Sequence, residues 1–369
     1  YSETAECLNS LRKISYDHFT VVVVDNGSVD HSPDLIRSHY PEVVLIENPV
    51  NRGLAAANNR GIQYALDHGA QFCLLLNNDT VVAPDILNAF IAAAGQYPDA
   101  AMFGAKIYYY SDPNRIWWAV SLWDGQKGCF QNIGREEIDD GVRLSKTQVT
   151  DYANGCALFF RTEVAKNIGL MDERIFIYFE EVDWCFRAWR AGYRVMFIPA
   201  AKVWHKVASS SGGKDSPVID YFETRNQLLW AKKNLPWRQR AVFYKEFARR
   251  FFPSTARAGK FPILKRIYWD ILFLLGPQGS VRRKGWWDYL ISRFGNCPPS
   301  VRNLGNPAGV RKKILIMSLG FNFPLINGGR LRTWNFIRAL AQDHDLYLFN
   351  IHYEGADHEY REPQGRAIF

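Results

Sequence analysis

Residues 72–80 read Phe-Cys-Leu-Leu-Leu-Asn-Asn-Asp-Thr. An apolar run that breaks into two amides and a carboxylate reads as a buried strand delivering polar groups to its carboxyl end. In open α/β sheets, ligands bind beyond such ends. Asn77, Asn78 and Asp79 offer hard oxygen ligands to a divalent cation that keeps diphosphate oxygens in its shell. A plain polar turn accounts for the same residues.

Upstream, Val21–Val24 forms a second strand-like run, ended by Asp25-Asn26-Gly27-Ser28. Asp25 can accept hydrogen bonds from a base or ribose, although this tetrapeptide is also good turn chemistry. Val43–Ile46 reads as a further strand, and Asn51-Arg52-Gly53 opens a helix over Leu54–His68. A cation and exposed N–H groups at a helix start suit a phosphate, but many helices begin this way.

Downstream, Lys106–Tyr152 reads as irregular strands and loops, Cys156–Phe160 as a strand and Thr162–Ile168 as a helix. A Phe/Tyr/Ile run to Phe179 precedes a helix opened by Glu180-Glu181 and closed by Gly192. Carboxylates there are favoured by the helix dipole. One dipole does not require Glu180, Glu181 and Asp183 together, and aromatic neighbours would raise a carboxyl pKa and improve a proton acceptor. Tyr193–Ile198 is a strand leading to Val203-Trp204-His205 and a small polar loop, Ser209–Ser216. His205 reads as a core histidine or a metal ligand. Arg225 and Asn226 read as diphosphate contacts or a solvated face.

The joint order of VVVVDNGS (21–28), NRGLAAANNRG (51–61), LLLNNDT (74–80), DYANGCALFFR (151–161), YFEEVDWCFRAWRAGY (178–193) and VWH (203–205) resembles family 2 glycosyltransferases. The likeness is to the bacterial rhamnosyl- and galactofuranosyltransferase-like members. It implies a GT-A fold, an α/β Rossmann-like mixed and mainly parallel sheet flanked by helices, over residues 1–235. It also implies an inverting transfer from a nucleotide-diphosphate sugar to a cell-surface or lipid-linked glycan. By motif, Glu181 would be the catalytic base, with Glu180 and Asp183 as acceptor-site or supporting acids. Asp25, Asn26, Arg52, Gly53, Asn78 and Arg225 would bind the donor. Asn77, Asp79 and His205 would hold Mg2+ or Mn2+. Asn77 stands where the family more often has Asp, implying weaker metal affinity, and the family's first strand is not among these residues.

The chain of 369 residues is 47% hydrophobic and 15% aromatic, enough for a large α/β domain and part of another. Its six cysteines show no C-x-x-C pair, which favours a reduced, cytoplasmic setting. No apolar run is long enough to span a bilayer. Residues 231–310 carry 16 Lys/Arg against Glu246, Asp270 and Asp288, mixed with Trp, Phe and Tyr. That mixture suits an anionic membrane face or an ordinary basic helical subdomain. No nucleic-acid-binding module is recognisable. With the basic, aromatic segment read as membrane-facing, the expected location is the cytoplasm, at the cytoplasmic face of a bacterial inner membrane.

The segment 236–302 therefore reads as a basic, aromatic helical extension and 303–311 as a linker. Residues 312–369 begin a partial second Rossmann-like unit. There PLINGGRLRTWNFIRALA (324–341) resembles the start of a family 4 (GT-B) glycosyltransferase domain. The chain reads as a fragment cut at both ends. Rival readings are a sugar nucleotidyltransferase, which needs a Gly-rich, Arg-containing loop after its first strand, and a non-catalytic glycan-binding domain of the same fold. A nicotinamide enzyme is disfavoured because no G-x-G-x-x-G follows a strand.

Overall fold

A computed structural model describes residues 1–207, 216–251, 277–305, 313–319 and 345–351. They fall into two compact units, residues 1–298 and 299–369. The first unit begins with α1 (Ser2–Leu11), β1 (Val22–Asp25), α2 (Ser32–His39) and β2 (Val44–Glu47). Next come α3 (Leu54–Asp67), β3 (Phe72–Leu76), β4 (Thr80–Val82), α4 (Ile86–Gln96) and β5 (Ala100–Tyr109). β6 (Ile116–Trp118), the hairpin β7 (Val120–Asp124) and β8 (Cys129–Ile133), β9 (Gln148–Val149) and β10 (Ala157–Arg161) follow. The unit continues with α5 (Thr162–Ile168), α6 (Glu180–Arg190), β11 (Arg194–His205), α7 (Pro217–Asn234), α8 (Trp237–Phe251) and α9 (Pro277–Leu290).

The main sheet has the order β3-β10-β5-β11-β4, with β6 added to β5 and β9 to β11. β11 runs parallel to β5, whereas β10 runs against both β3 and β5, and β4 against β11. β1 and β2 form a separate parallel pair. This is the mixed α/β class expected from the sequence. The antiparallel strands matter most for function. Pairing of β10 with β3 sets the Cys156 carbonyl against the Asn77 N–H at 3.0 Å. Pairing of β11 with β4 sets His205 opposite Thr80. Two distant segments thus converge on Asp79.

Two strands differ from the sequence reading. β5 extends into the stretch read as irregular, and only its last residue is more than slightly exposed. A strand covered on both faces shows no alternation to read. β11 is one strand of 12 residues rather than a short strand followed by a motif. A register shift between Ile198 and Lys202 absorbs Pro199, as prolines in strands require, and carries the strand on to His205. Stacked Phe72, Phe90 and Phe159 anchor one face of the sheet, with ring centroids 4.8–5.1 Å apart.

A cavity of about 1160 Å³ lies between β1 and β3. It meets Val21 to Asp25 and Gln71 to Asn78 consecutively. A pocket on a sheet face would meet alternate residues, so this one lies along the strand edges. Asp25, Asn26, Asn77 and Asn78 line it where β1 and β3 end.

The second unit contains α10 (Pro299–Gly305) and the parallel pair β12 (Lys313–Leu319) and β13 (Asp345–Ile351). α10 extends into the stretch read as a linker. Residues 324–341, which carry the family 4 likeness, residues 252–276 of the basic stretch and most of the Ser209–Ser216 loop lie outside the described residues. Among the described residues no helix is long and apolar enough to cross a membrane.

Candidate active site

Asp79 follows β3 and is 7% exposed, as is His205 at the end of β11. Asp79 Oδ1 lies 3.2 Å from His205 Nε2. The Trp117 ring packs edge-on against the imidazole at 4.5 Å, and His205 Nδ1 has no hydrogen-bond partner among the described residues. Among those residues no group of three or more His, Cys, Asp or Glu is placed to hold a metal. The described residues bring together one carboxylate and one imidazole. Their 3.2 Å separation suits neighbouring positions on an octahedral ion with bonds of about 2.1 Å. Such an ion commonly takes its remaining ligands from water and phosphate. Asn77 is half-buried, and its main chain is tied to Cys156 and Thr80. The Asn78 side chain donates to Thr4 Oγ1 at 2.9 Å.

The acidic helix start is built differently. Phe176, Tyr178 and Phe179 have φ of 70°, 64° and 76°. Left-handed backbone is costly for bulky side chains and clusters at functional sites. Phe179 is the N-cap of α6, so this turn aims the helix and its first residues. Glu180 is buried and Glu181 half-buried. Each has one buried carboxylate oxygen, Oε2, without a hydrogen-bond partner among the described residues. Burial, reinforced by the neighbouring Glu181 charge, raises the Glu180 pKa well above the carboxylate range. Burial also raises that of Glu181, against the opposing pull of nearby backbone N–H groups.

Gly155 explains how Glu181 fits. A Cβ there would stand 3.5 Å from the Glu181 Cβ, so the side chain lies against the turn that opens β10. Cys156, the next residue, accepts the Asn77 N–H. One turn and one backbone hydrogen bond therefore separate Glu181 from the loop carrying Asp79. The sequence reading passed over Gly155, whose signal was the Asn154-Gly155 turn itself.

Other expected site residues are committed in varied ways. Asp25 Oδ2 accepts the N–H groups of Gly27 and Ser28 at the end of β1. Asn26 clamps the next loop, donating to Asn51 and to the Gly53 carbonyl and accepting the Arg52 N–H. Arg52 forms a half-exposed ion pair with Glu173 at 3.2 Å. Gly53 has φ of 92°, and a Cβ would meet the Phe176 ring at 2.6 Å. The Phe176 carbonyl accepts the Ala55 N–H at 3.2 Å, so the start of α3 is already joined to the turn before α6.

Two residues stand apart from that grouping. Asp183 is fully buried among Arg187, Lys233 and Asn234, which makes it a structural acid rather than an acceptor contact. Arg225 is also fully buried and donates to the carbonyls of Gly295 and Ile175. Its guanidinium is therefore directed at main chain and is not displayed to a diphosphate. An apolar helix position can bury an arginine whose fork is satisfied, and its sequence signal is indistinguishable from that of a phosphate-binding one.

The model of the family described as Glycosyl transferase family 2 matches residues 1–168. The dTDP-rhamnosyl transferase RfbF of Shigella flexneri is 28% identical over 244 residues, covering 63% of this chain and 78% of that protein. An N-acetylglucosaminyl-diphospho-decaprenol L-rhamnosyltransferase of Mycobacterium tuberculosis is 28% identical over 239 residues, covering 59% and 76%. Among solved structures, GalNAc-T7 with UDP, GalNAc and Mn2+ aligns at 14% identity with a TM-score of 0.49. That alignment covers 80% of this chain and 55% of the GalNAc-T7 chain, a little over half its length. Residues 1–168 thus match a glycosyl transferase family 2 domain, and the chain is a glycosyltransferase.

Proposed function

We propose that the chain transfers a sugar from a nucleoside-diphosphate donor to a hydroxyl of a cell-surface or lipid-linked glycan, with inversion and with Glu181 as base. The observation carrying this reading is a desolvated carboxylate one turn and one hydrogen bond from Asp79 and His205. Burial makes Glu181 a stronger proton acceptor than an exposed carboxylate. Glu181 takes the proton of the acceptor hydroxyl as its oxygen attacks the anomeric carbon, and the nucleoside diphosphate leaves from the opposite face. Asp79 and His205, with Asn77 beside them, would hold Mg2+ or Mn2+, which would offset charge on the leaving diphosphate. Asp25 and Asn26 serve the nucleoside, Asn78 the neighbouring donor surface, and Arg52 with Gly53 the phosphate side.

The relatives named as rhamnosyltransferases, one of them for dTDP-rhamnose, make a deoxyhexose donor the first to test, with galactofuranose next. In this reading residues 1–235 are the catalytic domain, 236–302 a helical extension and 312–369 the start of a second Rossmann-like unit. The test is transfer from a panel of nucleotide sugars to a lipid-linked acceptor with Mn2+ or Mg2+, with the product anomer assigned by NMR. Inverted product, lost on Asp79→Ala, is expected. Retained configuration, or undiminished transfer in Asp79→Ala, would overturn the mechanism.

Membrane contact is supported by one face of α9. Arg283, Trp286, Trp287 and Leu290 recur at helical spacing and are exposed, with Ile291 and Arg293 just beyond. Aromatic side chains beside cations suit an anionic headgroup layer. Flotation with anionic vesicles at low salt should carry the protein upward, and replacing Trp286 and Trp287 by Ser should abolish this. Absence of wild-type binding would remove the membrane from the account.

A further inference from the structure

We propose that Arg225 and Asn226 are positioning residues, which hold the left-handed turn Phe176–Phe179 in the shape that presents Glu180 and Glu181. The inference rests on Glu181 being the base.

A run of bulky residues at positive φ does not hold itself, so the restraint must come from outside the turn. α7 supplies it. Asn226 Nδ2 lies within hydrogen-bond distance of the carbonyls of Ile175, Ile177 and Tyr178, at 2.9, 2.8 and 2.9 Å. Its Oδ1 accepts Arg225 Nε at 3.0 Å, which fixes the amide so that its donors face the turn. Arg225 reaches the Ile175 carbonyl at 3.0 Å and the Gly295 carbonyl at 2.7 Å. Both side chains are fully buried.

The turn is also gripped through Phe176. Phe176 stacks on Phe222 of α7 with centroids 5.4 Å apart and planes within 3°. It closes over Gly53 and bonds to the start of α3. The Arg225–Asn226 pair therefore fixes a segment that touches both the start of α3 and the first turn of α6. Its effect on chemistry passes through Glu181, and neither side chain faces solvent or a reactant.

The test compares Asn226→Ala and Arg225→Lys with Glu181→Gln and wild type, reading kcat, donor KM and the acid limb of kcat/KM. Asn226→Ala should lower kcat by on the order of 10²-fold, leaving donor KM within about threefold. As the turn opens and water reaches Glu181, the acid limb should move to lower pH, because loss of burial lowers a raised carboxyl pKa. A merely destabilised protein would lose active fraction without moving that limb. Arg225→Lys keeps the charge and a donor, so it should show the same displacement in smaller measure, and it serves if Asn226→Ala does not fold. Glu181→Gln inactive, with an unmoved acid limb in both α7 variants, would overturn the positioning role alone. Turnover retained in Glu181→Gln would overturn the base assignment and this inference with it.

Discussion

Asp183 and Glu181 sit two residues apart on the first turn of α6, and their surroundings differ in kind. Asp183 is met by Arg187 at 3.0 Å and by Lys233 and Asn234 at 2.8 Å, and Lys233 continues to Asp172 at 2.6 Å. Among the described residues Glu181 and its neighbour Glu180 have no such cations, and each keeps an oxygen without a partner. The helix dipole favours all three acids alike, so it cannot be what separates them. Partnering does. A carboxylate surrounded by cations and donors is tied into the fold, whereas a desolvated one without them gains proton affinity, which is what the proposed base requires.

The contrast breaks most visibly at Asp183. Asp183→Ala leaves Lys233 and Arg187 without their buried partner and should cost about 3–5 kcal/mol in chemical denaturation. A loss near zero would mean that the network is ornamental to stability. Gly53→Ala probes the strained side. Its φ of 92° and the 2.6 Å approach to Phe176 leave no room for a methyl group, so about 2 kcal/mol of stability should be lost. Turnover should fall beyond the loss of folded protein, because Phe176 must move; activity that simply follows the folded fraction would separate α3 from the acid turn.

The smallest effect concerns Glu180 and has the opposite sign. Its folded pKa is raised, so its contribution to stability is present below the ordinary carboxylate value and is lost as pH rises through the raised one. Gln cannot ionise. Glu180→Gln should therefore stabilise by about 1 kcal/mol at pH 8 and change little at about pH 4, as read from urea unfolding at the two values. Equal shifts at both would show that ionisation at this position is not penalised by the fold.

How far the sequence reveals these features follows from how each is built. Asp79 was legible because an apolar strand ends abruptly in amides and acid, and Glu181 because three acids follow an aromatic run. The turn that aims Glu181 was not legible. Left-handed backbone is usually announced by Gly or Asn, and here it is built from Phe176, Tyr178 and Phe179, whose side chains read as strand or core. β5 escaped notice because burial on both faces erases alternation, and the extent of β11 because Pro199 interrupts the apolar pattern. Arg225 illustrates a different limit. A cation on a late helix carries no sequence mark of whether its fork meets phosphate or carbonyls, and only the packing of α7 against residues 174–178 decides it.

The central claim is that Glu181 removes the acceptor proton beside Asp79. It is tested most directly by Glu181→Gln, measured for transfer at saturating donor and for nucleotide binding by calorimetry. The account expects transfer to fall by on the order of 10³-fold while nucleotide affinity and melting temperature stay close to wild type. Wild-type transfer in that variant would contradict it.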